Sequence, residues 1–128
     1  MCIFNLKTAE KQIAKEDIVV LKVIKIDDKG KLISPIFDDE VWQLGNEKTI
    51  DLKIIRDGFE YHKELYMSTE GFYSFHKDSD PKYCTFCFSH VNNNKLEVYE
   101  AIIPKGAEYI NVGSVFCSNK LKLIKKIL

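Results

Sequence analysis

With 128 residues and a hydrophobic share of 45%, the chain has the size and composition of one globular domain, expected to span residues 1–128. Its 19 lysines and arginines balance 19 aspartates and glutamates, so no long-range field draws it to a polyanion or an anionic membrane. Arg56 is the only arginine, which removes the usual bidentate reader of phosphate and guanine, and no stretch nears the roughly 20 apolar residues of a membrane span.

Residues 1–7 have neither the basic start nor the apolar core of a secretory signal. The expected setting is therefore the cytoplasm, where Cys2, Cys84, Cys87 and Cys117 serve as thiols or metal ligands rather than disulfides. Residues 8–15 are polar around Ile13 and Ala14 and read as a single helical turn capped by Thr8. Residues 18–26 are rich in branched side chains and read as a strand covered on both faces. Asp27-Asp28-Lys29-Gly30 reads as a hairpin turn.

Pro35 makes 32–37 an edge or irregular piece. A short segment over 41–44 ends at Gly45, and 49–55 alternates as one strand. Asp57-Gly58 marks a turn, and 61–67 reads as a strand. Residues 71–75 form an aromatic strand. Asp80-Pro81 then starts a helix, because aspartate caps the first turn and proline suits its first position. Tyr83, Phe86, Cys87, His90 and Val91 continue that helix at helical spacing, and Asn92-Asn93-Asn94 ends it. Strands follow at 96–103, 107–112, 114–118 and 121–128, with a turn at Pro104-Lys105-Gly106. The pattern predicts an α+β fold, β-rich and mostly antiparallel, with one or two short helices.

Cys84, Cys87 and His90 are the candidate metal ligands, since CxxC with a nearby histidine binds zinc. The second half-site is missing, and two small buried hydrophobes on a helix explain the cysteines as well. Redox use would need CxxC at the helix start, whereas Cys84 falls a turn in. No metal and no cofactor is therefore assigned. Nucleophilic catalysis has loose ingredients in Cys84 or Cys117 and in His62, His76 or His90, without a local signature. No catalytic residue is assigned. Asp38-Asp39-Glu40 lacks the ligand spacing of a calcium loop. Lys120, Lys122, Lys125 and Lys126 read as the exposed face of a half-buried strand, an edge guarded against aggregation. The aromatic content of 12%, partly gathered in Phe72, Tyr73 and Phe75, marks an interface if exposed. Phe72, Tyr73, Ser74 and His76 are the candidate binding residues.

Residues 13–23, Ser34-Pro35, Gly71-Phe72-Tyr73-Ser74-Phe75, residues 102–109, and Ser118 before Leu121 follow one another in order. The set resembles a family of small proteins from gut Bacteroidetes and bacteriophage genomes, over nearly the whole chain. That resemblance implies no activity. The order strand, Gly-Phe-x-Ser, helix, strand ending Ile-Pro-Lys-Gly is also similar to the C-terminal half of arginine–serine–glutamate ADP-ribosyltransferases. Ser74 matches their serine. Phe75 and His76 stand where Thr-Ser should follow, Lys22 stands near the first-strand arginine, and residues 116–120 contain no acid. The similarity then implies a fold with a degenerate site. The lead expectation is a non-enzymatic cytoplasmic binding or accessory domain of mobile-element origin. Its partner would be a protein, and neither nucleic acid nor membrane is expected. The alternative is a diverged, inactive ADP-ribosyltransferase-like enzyme, or a small hydrolase.

Overall fold

A computed structural model of the chain describes residues 2–5, 10–35, 40–55, 60–61, 64–86 and 95–127. The first half contributes β1 (Cys2–Asn5), β2 (Gln12–Ile13), β3 (Ile18–Ile26), β4 (Leu32–Ile33), β5 (Val41–Trp42), β6 (Glu47–Thr49) and β7 (Lys53–Ile55). The second half adds β8 (Glu60–Tyr61), β9 (Glu64–Glu70), β10 (Phe72–His76), a short helix α1 (Pro81–Phe86), β11 (Leu96–Ile103), β12 (Glu108–Val112), β13 (Val115–Ser118) and β14 (Lys120–Lys126). The described residues are thus mostly antiparallel sheet with one short helix.

A small sheet runs β1-β9-β7, with β8 on β9. The larger sheet runs β2-β12-β13-β10-β3-β11-β14-β6, with β4 on β3 and β5 on β4. β13 and β14 are separated in the chain by Asn119 alone, yet they lie on opposite sides of β3 along that path. The path β13-β10-β3-β11-β14 therefore returns on itself, and the sheet curls around a core. Asn119 fixes the bend: its N–H donates to Glu108 O at 3.0 Å, its Oδ1 accepts from Glu108 N at 2.9 Å, and its carbonyl accepts from Ile50 N at 2.8 Å.

β3 is the axis of this arrangement. Alternation sends Val20 and Ile24 into the enclosed core with Trp42, Phe72, Tyr99 and Leu121. Leu21 and Val23 go to the opposite face, with Phe75, Cys84 and Val98. Trp42 packs edge-on against Phe72, with ring centroids 5.1 Å apart. A further cluster joins Leu52, Ile110 and Cys117, with Tyr73 against it.

The turn at Asp27 to Gly30 forms as expected, with Gly30 at φ 80° and Gly30 N–H donating to Asp27 O at 3.0 Å. α1 starts as read. Asp80 Oδ1 accepts from Lys82 N at 2.9 Å, and Cys84 N–H donates to Asp80 O at 3.1 Å. The helical extension through Cys87, His90 and Val91 lies outside the described residues, as does the Asp57-Gly58 turn.

Three expectations need correction. Residues 10–15 form no helical turn; Gln12–Ile13 is a strand paired to Glu108 and Tyr109. The single strand over 49–55 is two: Glu47–Thr49 pairs with β14, and Lys53–Ile55 with β9 in the other sheet. Ile50, bonded to Asn119, and Leu52, packed on Cys117, divide the run. The lysine-bearing strand is an edge only in part, since Lys120, Leu121 and Lys122 pair with β6 and Lys122 pairs with β11 as well. A bulge at Glu100/Ala101 leaves Ile124 without a register partner, and the alternation of β14 stops there. No helix among the described residues is long and apolar enough to cross a membrane.

Candidate functional site

One open end of the curled sheet forms a cleft of about 680 Å³. Its floor is aromatic. Tyr109 of β12 and Phe116 of β13 lie 5.9 Å apart between centroids, and His76 at the end of β10 stacks on Phe116 at 6.4 Å with a 25° interplanar angle. Apolar lining comes from Ile13, Ile18 and Val19. Ile13 is 58% exposed and Val19 38%, although both are branched aliphatics of the kind folding normally buries. Lys15, Glu16, Asp17 and Lys77 carry the charge; two lysines and two carboxylates cancel.

Several hydrogen bonds hold the cleft in shape. Asp17 Oδ1 accepts from Lys105 N at 2.8 Å. Ala14 N–H donates to Ala107 O and Gly106 N–H to Ala14 O, each at 2.8 Å. Gly106 sits at φ 89°, and Ala107 N–H donates to Pro104 O at 3.0 Å. This is the positive φ a type II turn requires at its third residue. The turn that looked purely architectural in the sequence therefore anchors the segment over residues 14–17. Tyr109 Oη donates to Gln12 Oε1 at 3.0 Å, tying the floor to β2. His76 is fixed by its neighbours: Asp78 N–H donates to its Nδ1 at 3.1 Å, and His76 N–H donates to Ser114 O at 2.7 Å.

Of the four candidate binding residues, His76 alone lines the cleft. Phe72 is buried against Trp42, and Tyr73 packs half-buried against the Leu52, Ile110 and Cys117 cluster. Ser74 is fully buried, and its Oγ has no hydrogen-bond partner among the described residues. Ser74 pairs with Phe116 across β10 and β13, so it sits beside the floor without opening into the cleft. Glu108 turns away toward Lys11, at 3.7 Å. Two polar groups converging in a pocket from among Ser74, His76, His90 and Glu108 would favour a hydrolase or transferase; of the three described, only His76 lines the cleft, and His90 lies outside the described residues.

Lys22, where the transferase-like order would place its arginine, is 5% exposed on the core face of β3. Its Nζ donates to Tyr73 O at 2.7 Å and lies 5.6 Å from the Trp42 ring centroid. Cys84 is buried among Leu21, Val23, Phe75 and Val98. Cys87 and His90 lie outside the described residues. Among the described residues no group of three metal-ligating side chains gathers. Glu40, the described member of the acidic cluster, accepts from Trp42 Nε1 at 3.1 Å.

No family model, curated protein or solved structure matches the chain.

Tyr109, Phe116, Ile13 and Val19 carry no site signal of the kind that marks a catalytic or metal-binding motif in the sequence. A signal for Ile13 was present: one branched apolar residue in the polar run 8–17 has no helical partner to pack on.

Proposed function

We propose that the protein is a non-catalytic binding domain that recognises a protein partner through the cleft over Tyr109 and Phe116. The observation that carries this reading is the exposure of Ile13 and Val19 beside that aromatic floor. Exposed aliphatics next to rings, rimmed by charge, are what a recognition surface offers. The neutral rim supports a partner segment of low net charge over a polyanion. The burial of Ser74 and the inward-facing Lys22 weigh against the transferase-like alternative, because neither group meets the cleft. The α+β fold class, a cytoplasmic setting and kinship with the family of small proteins from gut Bacteroidetes and bacteriophage genomes belong to the same proposal.

A photo-crosslinking side chain at Val19 tests it. The same side chain at Leu44, an exposed apolar residue that does not line the cleft, is the control. The expected result in source cells is a discrete adduct from position 19 that position 44 does not give. Equal adducts from both positions, or none from position 19, would sink the reading.

A further inference from the structure

The backbone of β2 gives the cleft a recognition mode. In an antiparallel ladder, successive residues direct N–H and C=O to alternate sides. Ala14 spends both groups toward the turn before β12, on Ala107 O and Gly106 N. Gln12, two residues earlier and opposite Tyr109, faces the same way. The intervening Ile13 therefore points its N–H and C=O away from β12. Glu108, its register partner, agrees: Glu108 uses its own N–H and C=O on Asn119, on the far side. β2 ends the sheet path, and among the described residues neither main-chain group of Ile13 meets a partner. An exposed edge thus adjoins a cleft with an aromatic floor, lined by the same residue.

We infer that the cleft binds an extended peptide by strand addition to the outer edge of β2. Main-chain bonds form to Ile13 N–H and O, and an apolar side chain of the peptide seats against Tyr109 and Phe116. This mode takes affinity from the backbone and specificity from the pocket. It favours a peptide of low net charge, because the four charges at the rim cancel. The inference rests on the binding reading above and adds the class of ligand and the geometry of its capture.

Short blocked peptides test it, with the full chain followed by nuclear magnetic resonance. The probe is acetyl-Val-Phe-Val-amide, alongside forms N-methylated at each residue in turn. Expected are shifts at Ile13, Val19, Tyr109 and Phe116. N-methylation at the residue opposite Ile13 should weaken binding by about threefold to tenfold, the worth of one hydrogen bond. Ile13→Pro removes the donor and turns a ring toward the incoming strand, without touching the ladder to β12, and should weaken binding by at least about tenfold. Ile13→Ser keeps the N–H and should bind more weakly than wild type but more tightly than Ile13→Pro. If Ile13→Pro unfolds, the N-methyl series on the wild-type chain decides alone. Binding in the cleft that ignores N-methylation overturns strand addition and leaves the binding reading standing. A concentration-dependent dimer through β2 that excludes the peptide also overturns it, by naming a second copy as the occupant. If the probe shifts no cleft residue while the photo-crosslinker at Val19 still captures a partner, strand addition falls. If both fail, the binding reading falls as well.

Discussion

Asp17 and Lys105, 88 residues apart in the chain, meet through a single hydrogen bond from the Lys105 N–H to Asp17 Oδ1 at 2.8 Å. The contact clamps the segment leading into β3 onto the turn between β11 and β12, so one wall of the cleft is set by the far end of the sequence. Asp17→Ala removes the acceptor. The expected loss of stability is about 1 kcal/mol by chemical denaturation, with faster amide exchange at Lys105. Asp17→Asn keeps an acceptor and should lose less. An Asp17→Ala chain with unchanged Lys105 exchange would show that the clamp does not hold the wall.

Gly71 is required for close approach rather than for conformation. A Cβ there would lie 2.7 Å from Cys117 Sγ and 3.0 Å from both Leu52 Cδ1 and Ser118 O. Gly71→Ala is expected to destabilise by roughly 1–3 kcal/mol through overpacking. Adding Cys117→Ala frees the tightest contact, so the double variant should lose less than the sum of the singles. Strict additivity in the denaturation midpoints would refute the contact.

Ser74 separates packing from chemistry. Its buried Oγ is without a hydrogen-bond partner among the described residues, so Ser74→Ala removes a desolvated polar atom. Stability should stay within about 1 kcal/mol of wild type or rise. A loss above roughly 2 kcal/mol would mean that the hydroxyl is satisfied in solution.

Tyr99 gives the fold an alkaline limit. Burial first, then the hydrogen bond and charge of Glu97, push its phenol up from 10.0 to about 12. Below the unfolded value both states keep the proton, and the contribution to stability is full. Above about pH 10 the unfolded chain ionises while the folded one resists, so stability falls until the folded phenol titrates near 12. The loss is on the order of 3 kcal/mol. Tyr99→Phe should flatten that window in pH-dependent denaturation. An unchanged slope in the variant would assign the alkaline loss to other groups.

The sequence made the local elements legible where one residue type decides them. The branched run of β3, the Asp80-Pro81 helix start and the turns at Gly30 and Gly106 all rest on intrinsic backbone preference. Pairing was less legible. Nothing in the alternation of residues 49–55 says that Ile50 bonds to Asn119 while Leu52 packs on Cys117, because those partners lie more than 60 residues away. The site was the least legible part. Val19 reads as the start of a strand covered on both faces, and its exposure follows from β10 pairing with β3 only at Val20 and Leu21. His76 is legible as a candidate binding residue, since it follows the aromatic run 71–75. Phe116 is not, since a phenylalanine on a short strand looks like any core residue, and it is one, buried with the main core cluster while also lining the cleft floor.

The most direct test of the cleft as recognition surface is a calorimetric titration of the captured partner, once purified, against three proteins. These are the wild type, the Ile13→Ser/Val19→Ser double variant and Leu44→Ser. Truncating two branched side chains buried on binding should weaken affinity by more than about tenfold, with Leu44→Ser unchanged. Full affinity in the double variant, or a comparable loss in Leu44→Ser, would contradict the assignment of binding to the cleft.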